Sequence, residues 1–389
     1  MIKINQTENR MLFSLLRDAL CATELTKEEK ENYTPEELKG LLKISSEHDV
    51  AHLLVLGLQQ NDLLSKENTG VKRYVFNTVY RFEQLKHEYE SLCHILERAH
   101  IPFLPLKGSV LRKYYPEAWM RTSCDIDVLV REEDLQQARD LLVNEYGYTY
   151  HGTGSHDISL YSPGKVHVEL HHNLVEDGLA KDAYEVLKNV WNTVAPQEEC
   201  AFEYEMPDEM FYFYHIAHMA KHFQNGGCGI RPLIDVWVLN HCLPFDNYRR
   251  EQLLSQGDLL IFATQVKLLS EIWFGEEQHT EITKQMEKYI LTGGVYGTLK
   301  NQITVQQQKK GSRLKYLLFK IFLPYDEIKL HYPILKKHRW LTPIMEVRRW
   351  FKLVFCGHLK RTVKEIKYNS AVSKDEVDRT KALLKNIGL

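Results

Sequence analysis

The sequence predicts an α+β chain, with an α/β core over residues 99–195 set between helical regions. Three observations carry that reading. Apolar residues recur at helical spacing through residues 1–98, as Leu12, Leu15, Leu16 and Leu20 do. Two later stretches alternate with period two instead, Asp125-Ile-Asp-Val-Leu-Val130 and Lys165-Val-His-Val-Glu-Leu-His171. From about residue 205 the helical spacing returns.

Each element follows from its residues. Thr34-Pro35 reads as an N-cap with proline at the first helical position, and a further helix runs through residues 48–58. A long amphipathic helix over residues 71–100 carries Val75, Val79, Phe82, Leu85, Tyr89, Leu92 and Leu96. It leads into a short apolar strand at 101–106, then the Lys107-Gly108-Ser109 turn and a helix starting near Val110. After the 125–130 strand comes a helix beginning near Glu132. Residues 146–150 start a hairpin whose return strand is expected to hold Glu169. Residues 209–222 form a helix, Asn225-Gly-Gly-Cys-Gly229 breaks it, and another begins at Ile230. Four regions result: helical 1–98, the α/β core 99–195, helical 196–300 completing a cleft, and a basic, aromatic-rich helical region 301–389.

Bulk properties fit an ordinary globular protein, with 44% hydrophobic and 26% charged residues among 389. No run of 18 apolar residues occurs, and the N-terminus lacks the apolar segment of a signal peptide. Seven scattered cysteines without a C-x-x-C suit reduced thiols, so a cytoplasmic location is expected. Net charge is −2, but residues 309–367 alone carry +12 and the remainder −14. An anionic partner for the 309–367 region is therefore expected.

The chemistry centres on Asp125 and Asp127. Strand residues i and i+2 share a face, so both carboxylates point one way while Ile126 and Val128 point the other. Two carboxylates about 7 Å apart can hold Mg2+ or Mn2+, with substrate phosphate oxygens completing the shell. Gly108 allows a phosphate to approach the backbone, and the Ser109 hydroxyl can cap the following helix or bind a phosphate oxygen. Glu169 sits mid-strand on a polar face with His167 and His171, where it can supply a third carboxylate. The bland readings are a solvated strand end with paired acids and an ordinary Gly-Ser turn. The three features occurring in order favour the functional one. Cys124, next to Asp125, is expected to face the core.

Leu106-Lys-Gly-Ser109, Arg121, Asp125-Ile-Asp127 and His167-Val-Glu-Leu-His171 together resemble the nucleotidyltransferase superfamily of DNA polymerase beta and the aminoglycoside nucleotidyltransferases. More narrowly, they resemble its group of uncharacterised bacterial nucleotidyltransferases. The motifs span about residues 99–175. The resemblance implies a polymerase-beta-like core, a mixed sheet with helices, flanked by N-terminal and C-terminal helical regions. It implies two Mg2+ ions and transfer of a nucleoside monophosphate from an NTP such as ATP to a hydroxyl of an unknown acceptor. Asp125, Asp127 and Glu169 match the carboxylate triad, and Gly108 and Ser109 the phosphate-binding turn. Lys107 or Arg121 would supply compensating charge. The chain departs from the family pattern after Gly-Ser, where it has Val-Leu-Arg-Lys. Asp127→Asn is expected to abolish transfer and leave thermal stability nearly intact.

His215, His218 and His222 share one helix face, but an i+7 separation of about 10 Å at 1.5 Å per residue prevents one ion from bridging all three. The resemblance implies a helical domain beside the sheet, which makes His171, His218, His222, Arg231 and Asp235 pocket candidates, Asp235 as an acceptor-side base. In the basic region, apolar stripes over 313–322 and 344–367 are expected to pack on the fold with a solvated basic face. Nucleic-acid binding and a membrane-surface helix use the same residue mixture. Two other function classes remain open: a D-x-D glycosyltransferase using a sugar nucleotide, and a non-catalytic nucleotide- or nucleic-acid-binding protein on the same fold.

Overall fold

The computed structural model describes residues 6–64, 68–174, 181–198, 200–295, 297, 299–310, 319, 322–355 and 372–389. The N-terminal region folds as α1 (Gln6–Cys21), α2 (Lys27–Asn32), α3 (Leu38–Glu47) and α4 (Ala51–Gln60). Leu12, Leu15, Leu16 and Leu20 are all buried, each contributing about 1.5–3 kcal/mol. As expected, Thr34 caps a helical start with proline at its first position; the first turn, Pro35–Glu37, is 3-10 and α3 continues directly from it at Leu38. His48 lies in the turn before α4, not inside it.

Helix α5 (Arg73–Arg98) runs into the sheet region, followed by β1 (Phe103–Pro105), α6 (Gly108–Leu111), β2 (Asp125–Val130) and α7 (Leu135–Glu145). Next come β3 (Thr149–Thr153), β4 (Asp157–Tyr161) and β5 (His167–His171). The strand order is β1-β2-β5-β4-β3. Strand β2 pairs antiparallel with β1 and parallel with β5, so the sheet is mixed. The hairpin expected from residue 146 is β3–β4, and its return strand is β4, not the strand bearing Glu169. A second reversal at Ser162-Pro-Gly-Lys165, closed by Lys165 N–H to Ser162 O at 2.9 Å, places Glu169 one strand further on.

Alternation divides the sheet into two chemically distinct faces. Ile126, Val128, Val168 and Leu170 join Leu85, Leu92 and Leu96 of α5 and Leu142 of α7 in one core. Asp125, Asp127, His167, Glu169 and His171 necessarily fall on the opposite face.

That opposite face meets the helical region, built from α8 (Lys181–Leu187), α9 (Asp208–Gln224), α10 (Arg231–Cys242), α11 (Asn247–Gln256), α12 (Leu260–Phe274) and α13 (Glu281–Leu291). A small ribbon, β6 (Ala195–Pro196) and β7 (Tyr204–Glu205), precedes α9. Helix α9 is buried nearly all round, from Met210 to Phe223, as expected of a helix apolar on most sides. One core joins α1, α3 and α4 to α9, α10, α12 and α13, so the stretches 1–98 and 196–300, separate in sequence, share an interior.

The chain continues through α14 (Leu299–Lys310), α15 (Tyr325–His331), α16 (Thr342–Phe355) and α17 (Lys374–Asn386). The stripe expected over 313–322 falls almost wholly outside the described residues, and that over 344–367 is described to residue 355. There the expectation of a buried stripe fails at Val347 and Phe351, which are exposed; the burial of Val354 and Phe355 lies outside what is described. Glu346 turns inward instead, accepting the Leu323 N–H at 2.7 Å and pairing with Arg349 at 2.8 Å.

Candidate active site

The parallel β2–β5 pairing sets Asp127 opposite Glu169 and Asp125 opposite His167. Potential ligand atoms of Asp127, Glu169 and His171 all lie within 4.8 Å of one another, and so do those of Asp125, His167 and Glu169. Two overlapping donor sets, rich in carboxylate oxygen and sharing Glu169, fit hard divalent cations.

Charge inside the cluster is already organised. Lys107 Nζ donates to Asp127 Oδ1 at 2.9 Å, and His171 Nε2 lies 2.9 Å from the same oxygen and 3.3 Å from Glu169 Oε2. Burial alone would raise the Asp127 carboxyl, but Lys107 and His171 hold it far below the usual range. Asp125 moves the other way, raised by burial and then by the Asp127 charge. Burial would depress the Lys107 ammonium; Asp127 overrides it and raises it. His171 is likewise raised, its burial outweighed by hydrogen bonds to Asp127 and Glu169.

Lys107 reaches this position through an unusual backbone, with φ 45° and ψ −119° at the end of β1. A positive φ on a non-glycine residue costs about 1–3 kcal/mol. The turn aims the ammonium back at the β2 carboxylates. Gly108 follows in close quarters: a Cβ there would stand 3.0 Å from Ser123 Cβ and 3.3 Å from Ser123 Oγ, so Ser123 would have to give by a few tenths of an ångström.

The segment leading into β2 is clamped from α10. Arg121 Nε and Nη2 meet Asp235 Oδ1 and Oδ2 at 2.6 and 2.9 Å, and Tyr115 Oη donates to Asp235 Oδ1 at 2.7 Å. Burial would raise the Asp235 carboxyl; Arg121 keeps it lowered. Arg231 bonds Asp49 at 2.6 Å and Thr122 Oγ1 at 3.2 Å, while Thr122 Oγ1 donates to Asp49 at 2.7 Å.

Most of the residues named from sequence line one cleft of about 420 Å³: Lys107, Gly108, Arg121, Asp125, Asp127, Glu169, His218, His222, Arg231 and Asp235. His171 lies beneath its floor. Ser109 is apart, lining a separate hollow with Lys113 and Asp208, and its side chain does not cap α6. His218 and His222 contact each other, Nε2 to Nε2 at 3.0 Å, and burial first holds both rings neutral, lowered to about 3. Cys124 is exposed at the cleft rather than buried, because β2 begins only at Asp125 and strand alternation does not reach it.

Sequence reasoning passed over several residues in or beside the cleft. His156 stacks on His171 at 5.5 Å between centroids. Arg112 donates to Gly108 O at 3.0 Å and Ser123 Oγ at 2.8 Å, and Arg81 to Cys124 O at 3.0 Å. Neither forms an ion pair with a carboxylate among the described residues. Burial, then the charge of Arg121, lowers the Arg112 guanidinium to about 10. Both arginines line an adjoining hollow of about 250 Å³ with Phe82 and Trp119, which shares Arg121, Ser123 and Cys124 with the cleft. The available signal for Arg112 was a cation in the first turn after Lys107-Gly108.

No helix among the described residues is long and apolar enough to cross a membrane. The model of a family described as uncharacterised nucleotidyltransferase matches residues 34–275. No curated protein and no solved structure matches the chain at a significant level. The family match takes in α3 through α12, including both carboxylate strands and the Arg121–Asp235 clamp, and with more than half of its length so covered the chain belongs to this nucleotidyltransferase family.

Proposed function

We propose that this protein transfers a nucleoside monophosphate from an NTP to an acceptor hydroxyl, with Asp125, Asp127 and Glu169 as its catalytic carboxylates. The observation that carries the reading is the Asp127–Glu169 register across two parallel strands, with Asp125 on the same face, at one cleft. These three side chains would hold magnesium, or manganese in its place, which when bound withdraws charge from the phosphate oxygens.

The chain's own residues do the rest. The acceptor oxygen attacks the α-phosphorus, the bond to the bridging oxygen of the β-phosphate breaks, and pyrophosphate leaves. Lys107 keeps Asp127 ionised at every working pH. Glu169, with a quarter of its side chain exposed, is placed to take the acceptor's proton. Gly108 lets the polyphosphate approach the backbone. Arg112 and Arg81, which among the described residues bond neutral oxygens and form no ion pair, offer it positive charge, and an arriving anion relieves the cost of the half-buried Arg112 cation. Arg121 and Asp235 are better suited to positioning, since each satisfies the other and Asp235 is held ionised without being free to accept a proton.

The test is incubation with Mg2+, each α-labelled NTP and host lysate. Label should move to an acceptor with wild type and stay on the nucleotide with Glu169→Gln. Sugar transfer from a sugar nucleotide without any nucleotide transfer, or equal labelling by Glu169→Gln, overturns the proposal.

A further inference from the structure

Helices α15 and α16 form a small unit whose inside is settled. Ile328 and Leu335 are fully buried, Tyr325 Oη donates to Leu335 O at 2.7 Å, and Glu346 faces inward against Leu323 N–H. The outside of α16 is the anomaly. At 100° per residue, Ile344, Val347 and Phe351 fall on one stripe, and they are 54%, 56% and 58% exposed. Trp340, in the turn that leads into the helix, is 72% exposed. A helix of a water-soluble unit normally turns such a stripe inward.

Cations border the stripe directly. Arg348 and Lys352 are exposed beside it on α16, and Lys336 and Lys337 are exposed on the preceding turn. None of these four has an ion pair among the described residues, though Arg348 lies over the Tyr332 ring at 5.9 Å; of the three acids described in this unit, Asp326 and Glu346 are taken by Lys329 and Arg349, and Glu327 is exposed on α15. The face therefore combines aliphatic side chains, an aromatic rim and cations in excess of acids among the described residues.

We propose that this outward face of α16 docks on an anionic lipid bilayer, lying in the interface without crossing it. Ile344 and Val347 enter the acyl boundary, Trp340 and Phe351 sit near the headgroups, and the cations meet lipid phosphates. Each such lysine or arginine strengthens binding to an anionic surface about fivefold. Nucleic acid is the poorer match, since bases stacked on Trp340 and Phe351 would leave the aliphatic Ile344 and Val347 without an apolar partner. The 14-residue helix is about 21 Å long at 1.5 Å per residue, suited to lying on a membrane.

The full chain is floated with phosphatidylcholine vesicles, alone or with roughly one-third phosphatidylglycerol. It should rise only with the anionic vesicles, and less at high salt. Val347→Glu with Phe351→Glu should reduce binding about tenfold or more, and Arg348→Gln with Lys352→Gln should weaken it several-fold. Val347→Leu with Phe351→Leu, which keeps the apolar face, should bind like wild type and shows that the surface tolerates substitution. Failure of wild type to bind anionic vesicles at low salt overturns the proposal. So does undiminished binding by the double glutamate variant, a solution dimer that those substitutions dissociate, or preference for single-stranded RNA over the vesicles in competition.

Discussion

The Lys107 ammonium lies 2.9 Å from Asp127 Oδ1, within a cluster where that oxygen also faces His171 at 2.9 Å. Asp127 is thus a structural counter-ion as well as a ligand candidate. Contrary to the expectation from sequence, Asp127→Asn should destabilise the fold by about 3 kcal/mol, because a buried charge loses its partner. Glu169→Gln removes a more exposed carboxylate and should cost under about 1 kcal/mol. Urea denaturation of the two variants measures the contrast, and Glu169→Gln is the cleaner probe of chemistry.

Arg121→Met or Asp235→Leu alone should each cost about 3–5 kcal/mol, since either leaves a fully buried charge without its partner. The double variant should cost much less than the sum, because it removes both charges. A double-mutant cycle by denaturation checks this, and additive losses would exclude the pair as a unit.

Gly57→Ala tests the α1–α4 crossing. A Cβ at Gly57 would fall 2.1 Å from Leu15 O, so the helices must separate. The expected loss is about 1–3 kcal/mol, read as a lower melting temperature with the carboxylate cleft's metal affinity unchanged.

Much of this site was legible because period-two alternation is a local property. Ile126 and Val128 had to face away from Asp125 and Asp127, and Lys165 to His171 had to be a strand with Glu169 on its polar side. Pairing is not local. Nothing in residues 146–171 states that β5 pairs parallel with β2, so the strand bearing Glu169 was misplaced by one reversal. Arg121 illustrates the same limit: the resemblance suggested compensating charge for a phosphate, while its partner, Asp235, lies 114 residues away. Alternation also gave no guidance at Cys124, one residue before the strand begins. For α16, spacing reveals an apolar stripe but not which side the neighbouring elements cover.

Cys124 offers a ligand footprint independent of turnover. Its thiol, exposed but partly desolvated by the cleft walls, is raised by that desolvation and then by Asp49 and Asp125, so alkylation should proceed slowly near neutral pH and faster at about pH 8.5. An NTP with Mg2+ should protect Cys124 several-fold while leaving the exposed Cys21 and Cys242 unchanged. Mass spectrometry of alkylated peptides reads the result; equal labelling of all three with saturating nucleotide would remove the cleft as the nucleotide site.

Acid should weaken this fold before its carboxylates titrate. His48 is buried with Nδ1 accepting the Ile230 N–H at 3.3 Å and Nε2 3.4 Å from Leu291 O, an arrangement that only the neutral ring satisfies. Burial lowers it to about 4, against an unfolded value of about 6.5. The unfolded chain therefore binds the proton first as pH falls. The neutral ring's contribution is complete above pH 6.5, declines between 6.5 and 4, and loses no more below. At about 1.4 kcal/mol per pH unit, His48 accounts for on the order of 3 kcal/mol over that window. His218 and His222, also lowered, act in the same direction. Urea midpoints measured from pH 7.5 down to 4.5 should fall steadily, and His48→Gln, less stable at neutral pH, should show a shallower slope by about one proton. An unchanged slope in that variant would show that His48 is not a source of the acid sensitivity.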